Sequence, residues 1–307
     1  MSIVSRWRTE AALDPAKVVL ADAGDPRAIE AAEIINSAGF AHVVAIGSDL
    51  GSQVTAEMMR VAGGLNGPVN LDDPLDVANL MVASGEADAC VAGAGRPTGD
   101  VIRSGLRILG TLDQTASVSS SFVFVLPEHG PTSHDDRRHL AFGDCAVIPD
   151  PDAEQLADLT VASARTFATL TGIEPRVAML SFSTRGSANH PDVDKVREAT
   201  ERVRAIDPNL AVDGELQFDA AWDVAIGSAK APGSPVAGAA NVFIFPDLNS
   251  GNIAYKITER LAGAQAFGPL LQGMGGVLHD LSRGCSVTDV VNVATIAAVQ
   301  AKQPNQL

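Results

Sequence analysis

Short, wholly apolar runs alternating with stretches of helical periodicity constrain this chain more than any other feature. Lys17–Ala21 (KVVLA) is followed by Asp25 and Pro26, a helix-opening pair, and then by Ala28, Ala31, Ala32 and Ile35 at helical spacing. Gly39 ends that helix, and His42–Ile46 (HVVAI) reads as the next strand. The spacing then predicts a helix over Pro74–Ser84, a strand over Asp88–Val91, a glycine-rich turn over Gly93–Gly99 and a helix over Asp100–Leu109. Short runs without polar alternation suit strands buried on both faces. The pattern therefore predicts an α/β fold, a parallel sheet with helices on both sides.

The middle of the chain reads as a second α/β domain. Strands are predicted over Val118–Leu126 and Phe142–Val147, joined like a hairpin through polar Pro127–Arg138. A helix over Ala153–Leu170, a strand over Arg176–Ser181, a helix over Asp192–Ile206 and strands over Ala211–Asp213 and Val242–Phe245 follow. The end returns to a loop, Asp280–Ser286, and a helix, Val287–Ala301. A length of 307 residues suits two domains. Only 4% of the chain is aromatic, so the cores are expected to be built from Ala, Val, Leu and Ile.

With 22 basic against 37 acidic residues, the net charge of −15 repels nucleic acid backbones and anionic membranes. A phosphorylated substrate would need a local cluster of arginine or lysine. Cys90, Cys145 and Cys285 lack metal-ligand spacing and read as buried thiols in a reducing compartment. Met1–Ala12, with Arg6, Trp7, Arg8 and Glu10, does not read as a signal peptide, and no apolar run reaches membrane-spanning length. A cytoplasmic location is the expectation.

Several groups of residues could carry chemistry. The turn Ala92–Arg103 (AGAGRPTGDVIR) leads from a strand to a helix start, a geometry that offers N–H groups and the helix dipole to an anion. Ser183–Ser187 (STRGS) could hold phosphate through Thr184 and backbone N–H groups, or simply cap the next helix. Ser286–Asp289 fits a capping box, which alone explains an acid at Asp289. Arg260, near a helix end, is favoured there by the dipole whatever else it does. Asp213–Asp219 (DGELQFD) holds three acids but no partner with metal-ligand spacing, so it reads as structural or as a cleft wall. His190, His279, His129, His134 and His139 read as loop or surface residues.

Longer stretches are more specific. Val177–Pro191 (VAMLSFSTRGSANHP), Lys230–Gly238 (KAPGSPVAG), Asn241–Arg260 (NVFIFPDLNSGNIAYKITER) and Asp280–Ser286 (DLSRGCS) with Asp289 together resemble the phosphate acetyltransferase family. Weaker matches at Ala21–Arg27 and Ala87–Arg103 extend the likeness over almost the whole chain. The resemblance implies two three-layer α/β domains with mainly parallel sheets, of the isocitrate/isopropylmalate dehydrogenase-like type, with the active site in the interdomain cleft. The implied first domain comprises 1–112 and 270–307, and the second 113–269.

The resemblance also implies the chemistry: reversible acetyl transfer between coenzyme A and inorganic phosphate. Asp289 would take the proton of the coenzyme A thiol, and Ser282 and Arg283 would position the acyl phosphate and stabilise charge. Arg103 and Arg260 would bind phosphate or acyl phosphate. A thiol of pKa about 8.5 is only a few per cent ionised at neutral pH, which is why a positioned base helps. Coenzyme A is a substrate here, no metal or prosthetic group is implied, and a homodimer is the family default.

The chain departs from the family pattern in one place. Family members carry a longer segment before the ADACVAG-like strand, with an arginine and a Lys-Gly-Thr-like stretch. Here Ser48–Glu86 is short and Arg60 is its only basic residue. Arg96, inside the glycine-rich turn, is the candidate replacement, with an ordinary surface arginine as the alternative. Propionyl or butyryl transfer is the nearest competing activity. A decarboxylating dehydrogenase would need a nucleotide site and metal-binding aspartates, and neither is found. The short segment raises a non-catalytic relative, against which stands the retention of Ser282, Arg283 and Asp289 together.

Overall fold

The computed structural model describes residues 2–47, 50–112, 115, 117–128 and 137–303. His129 and His134 lie outside the described residues. The chain divides into two compact units: Met1–Gln114 with Phe267–Leu307, and Thr115–Ala266.

The first unit is built on β1 (Lys17–Leu20), β2 (His42–Ala45), β3 (Ala89–Ala92) and β10 (Val277–Asp280). They form one sheet in the order β10-β3-β1-β2, every pair parallel. Its helices are α1 (Ile3–Ala11), α2 (Pro26–Ala38), α3 (Ala56–Gly64), α4 (Pro74–Ala83), α5 (Thr98–Ile108) and α11 (Val287–Ala301). Leu278 lies against Gly105 of α5, while its neighbour His279 bonds Gln300 of α11, so these two helices cover opposite faces of β10. Helix α2 starts at Asp25, whose carboxylate caps Arg27 N, with Pro26 in the first turn, and stops at Gly39 in a left-handed conformation of φ 72°. Periodicity does not reveal α1 or α3. Trp7 of α1 is fully buried and meets Phe267 edge-on, with ring centroids 4.9 Å apart.

The second unit contains β4 (Ser119–Val125), β5 (His139–Gly143), α6 (Ala153–Thr171), β6 (Arg176–Leu180), α7 (Pro191–Ile206), β7 (Ala211–Leu216), α8 (Phe218–Trp222), α9 (Val224–Lys230), β8 (Val242–Ile244) and α10 (Leu248–Leu261). The sheet order is β7-β6-β8-β5-β4-β9, where β9 (Gln265–Gln272) is the strand along which the chain leaves this unit. β4 and β5 form the expected antiparallel pair. Strand residues alternate between two cores: Val177, Met179, Val242 and Ile244 face α6 and α7, whereas Ala178, Leu180, Phe243 and Phe245 face the other way.

Four expectations are corrected. The core on the face of the second sheet away from α6 and α7 is not purely aliphatic: Phe122, Phe124, Phe142, Phe243, Phe245 and Trp222 gather in it among leucines, alanines and a valine. The strand predicted over Phe142–Val147 ends at Gly143. Ala146, Val147 and Ile148 instead wrap around Asp144, donating their N–H groups to its carboxylate at 3.0, 3.3 and 2.7 Å. Strand β7 runs on through two acids to Leu216, because arginines reaching in from the surface pair with the buried Asp213 and Glu215. His279 is not a surface residue: it is 1% exposed in β10, accepts the Leu271 N–H at 3.2 Å and bonds Gln300 at 2.6 Å. Burial pushes its imidazole down to about 4, so it stays neutral. His190 sits at the start of α7 as its N-cap, and His139 is half-buried at the head of β5. All three cysteines are buried and free.

Candidate active site

Because the strands of the first sheet are parallel, β1, β3 and β10 end on one edge. Three loops leave that edge: 21–25, 93–97 and 281–286. The carboxyl edge of a parallel sheet is where α/β proteins place their sites.

Arg27, in the first turn of α2, ties the three loops together. One Nη donates to Asp25 and to the carbonyl of Ala94, both at 2.7 Å, and the other to the carbonyls of Arg283 at 2.9 Å and Cys285 at 3.1 Å. The guanidinium holds the Asp25 carboxyl below its ordinary range. Burial pushes the Cys285 thiol up, with Arg27 opposing and Asp289 adding to the effect.

The glycine-rich turn after β3 already holds an anion of the chain's own. The N–H groups of Ala94 and Gly95 both donate to the Asp22 carboxylate at 3.0 Å. Those two donors are therefore not offered to a ligand, which corrects part of the expectation. Arg96 is likewise engaged. Its two Nη atoms fork onto Asp73, the N-cap of α4, at 3.0 and 3.2 Å. Helix α5 begins after Pro97 with no side-chain cap. Arg103 stands exposed on its surface, paired with Asp100 one turn back.

Close packing fixes the turn against β10. A Cβ on Gly93 would lie 2.1 Å from Asp280 Oδ1 and 2.8 Å from both the N and O of Leu281, at a φ of +107°. Gly93→Ala is expected to destabilise the first unit by on the order of 3 kcal/mol in chemical denaturation. A loss below about 1 kcal/mol, ordinary for a surface substitution, would show that the turn relaxes freely.

Ser282 and Arg283 lie on the loop that leaves β10 and Asp289 in the first turn of α11 that follows, all exposed. Ser282 Oγ accepts the Gly284 N–H at 3.3 Å. The Arg283 guanidinium has no ion pair among the described residues. Asp289 completes a capping box: its Oδ2 accepts from Ser286 N at 2.8 Å and Ser286 Oγ at 2.9 Å, while Asp289 N donates to Ser286 Oγ at 3.2 Å. Its other oxygen takes no hydrogen bond among the described residues. The capping role is thus present, and one carboxylate oxygen is left over.

In the second unit the loop Ser183–Ser187 is locked onto Glu215. Glu215 accepts from Ser183 Oγ and Gly186 N at 2.8 Å and from Arg197 at 2.9 and 3.0 Å. Burial pushes this carboxyl up, but Arg197, the Gly186 N–H and Ser183 outweigh it and hold it down to about 2. The N–H groups of Thr184, Arg185 and Ser187 are bonded to Ser187 Oγ, Glu215 O and Thr184 O. Thr184 Oγ1 bonds Gln217 and is 5% exposed. The loop is therefore not a ready phosphate cradle, nor does it cap α7. Asp213, fully enclosed, pairs with Arg185 at 2.6 Å and Arg204 at 3.2 Å, so the acids of β7 serve the unit's own packing. Arg260 projects from the last turn of α10, 78% exposed, with Glu259 at 3.6 Å.

Sequence reasoning missed Arg27, Asp22, Asp73, Thr98 and Asp280. Asp280 opens the DLSRGCS stretch, Asp22 and Arg27 lie in the weaker match Ala21–Arg27, and Thr98 lies in the glycine-rich turn, but Asp73 lies in none of these stretches. Among the described residues there is no cluster of three metal-ligating side chains, and no helix is long and apolar enough to cross a membrane.

Residues 68–298 match the model of the family described as Phosphate acetyl/butaryl transferase. A phosphate acetyltransferase of Thermoanaerobacterium thermosaccharolyticum is 41% identical over 337 residues, covering 98% of this chain and 100% of that protein. One from Paracoccus denitrificans is 42% identical, covering 93% and 95%. A phosphotransacetylase crystal structure from Streptococcus pyogenes superposes with a TM-score of 0.86 at 35% identity, covering 99% of this chain and 100% of that one. Matched over most of its length by the family model and aligned nearly end to end with these relatives, the chain belongs to the phosphate acetyl/butaryl transferase family.

Proposed function

We propose that this chain is an acyltransferase that moves an acetyl group reversibly between coenzyme A and inorganic phosphate. The observation that carries this reading is the set Ser282, Arg283 and Asp289 at the exit of β10, in a chain that aligns nearly end to end with phosphate acetyltransferases. Asp289 accepts the thiol proton through the oxygen that the capping box leaves over. The sulfur attacks the carbonyl carbon of acetyl phosphate. The carbon–sulfur bond forms, the bond from that carbon to the bridging oxygen breaks, and phosphate leaves with the electron pair. Ser282 and the unpaired guanidinium of Arg283 stabilise the negative charge that develops. Arg103 and Arg260 contribute charge to the phosphate, an attraction the net charge of −15 otherwise opposes. Thr184 must leave Gln217 to take part. The free thiols and the coenzyme A substrate fit a cytoplasmic location, and a homodimer is the expected assembly.

The test is to mix the protein with coenzyme A and acetyl, propionyl or butyryl phosphate and follow thioester formation. Acetyl phosphate is expected to give the highest kcat/KM. One methylene is worth about 1–3 kcal/mol in such a pocket, so a preference for butyryl would replace the acetyl reading. No turnover with any of them would leave a non-catalytic relative. Arg96→Ala is expected to raise KM for acetyl phosphate, because the family arginine it stands in for is missing from the short segment. Unchanged Michaelis constants would mean that Arg96 serves only its pair with Asp73.

A further inference from the structure

The mechanism above makes no use of the most unusual side chain at this edge. Asp280, the last residue of β10, is 1% exposed. Its Oδ2 accepts a hydrogen bond from Thr98 Oγ1 at 2.5 Å, and its buried Oδ1 takes no hydrogen bond among the described residues. Thr98 is the first residue of α5, the helix that carries Arg103 and starts without a side-chain cap. Asp280 is followed directly by the loop that carries Ser282 and Arg283. The pair therefore joins the roots of two segments that both bear proposed substrate contacts.

We propose that Thr98 and Asp280 act as a positioning pair for acyl transfer, setting the start of α5 against the loop of Ser282 and Arg283. The inference rests on the acyl-transfer reading. Stability alone gives no reason for this arrangement, because a buried carboxyl with one unsatisfied oxygen costs free energy. Gly93 supplies the room, since any side chain there would collide with Asp280. Thr98 also holds α5 where a plain cap would not, because its hydroxyl points back to β10 rather than to the helix's own N–H groups.

The charged surroundings give the pair a pH readout. Burial pushes the Asp280 carboxyl up to about 7, the Thr98 hydroxyl and the Leu281 N–H oppose this, and Asp22 on the β1 loop adds to it. Arg27 and Arg96 on the adjoining segments are held by Asp25 and Asp73. His279, the preceding residue, is turned to Gln300. When Asp280 is ionised the Thr98 hydroxyl donates to it, and protonation removes the charge that makes this bond strong.

The experiment compares wild type, Thr98→Val, Thr98→Ser and Asp280→Asn for kcat, KM and thermal midpoint across neutral pH. Thr98→Val is expected to lower kcat at least about tenfold, since small displacements of positioned groups are costly. KM for coenzyme A should stay within about twofold, because uniform binding is untouched. Thr98→Ser should restore kcat, and Asp280→Asn should remove the limb of the wild-type profile near neutral pH. The proposal is overturned if Thr98→Val keeps the wild-type kcat and profile. It is also overturned if activity falls only in step with thermal stability and serine fails to rescue it. A wild type that forms no thioester overturns the acyl-transfer reading instead, and this inference with it.

Discussion

Asp289→Asn lowers kcat for thioester formation by at least about a hundredfold, the lower range for loss of a positioned general base. The thermal midpoint moves little. Asparagine has the same shape and keeps one oxygen able to accept the Ser286 N–H, which Asp289 now bonds at 2.8 Å. What it loses is a negative charge near a helix N-terminus, worth about 0.3–1 kcal/mol at an exposed position. The observed cap and the proposed base are thereby separated in one variant: turnover reports the base, and the melting curve reports the cap. Initial rates with acetyl phosphate and coenzyme A, beside differential scanning calorimetry, measure both. Retained turnover with a lowered midpoint would leave Asp289 as a cap and remove the base from the mechanism.

Glu215→Ala is expected to destabilise the second unit by about 2–4 kcal/mol, because it removes a buried carboxylate and leaves Ser183, Gly186 and the half-exposed Arg197 without their acceptor. It strips the acceptor from Arg197, Ser183 and Gly186 at once and unlocks the loop Ser183–Ser187. The same carboxyl makes stability sensitive to acid. Its pKa lies at about 2 in the folded protein against 4.5 for an ordinary glutamate, so its contribution is present above 4.5 and is lost as the pH falls through about 2. Urea unfolding at neutral pH measures the alanine variant, and unfolding at falling pH compares wild type with Glu215→Gln. Wild type should lose more stability than the glutamine variant through that window. Parallel losses would show that Glu215 does not carry the acid dependence.

Much of the fold was legible in the sequence. The alternation of strands and helices, the antiparallel pair β4 and β5, the cap at Asp25 and the full extent of α11 from Val287 follow from local periodicity and capping chemistry. So does the capping box at Ser286 and Asp289, because its partners are three residues apart. The likeness of Asp280–Ser286 to a family motif pointed to this loop as the candidate, though not to what holds it.

Tertiary structure alone decided the rest. Arg27 reaches the carbonyl of Arg283 across 256 positions, Asp22 fills the turn after β3 from 72 positions away, and Thr98 meets Asp280 across 182. Nothing local marks such partners. Charged residues read as solvated until the group that neutralises them is known, which is why the arginine partners of the β7 acids and the fork of Arg96 on Asp73 do not show in the sequence. The same holds for His279, which reads as polar but is buried because Leu271 and Gln300 satisfy both ring nitrogens. Periodicity records which face of an element is buried. It carries no record of which distant residue that face will meet, and at the edge of this sheet those meetings set the geometry of the candidate site.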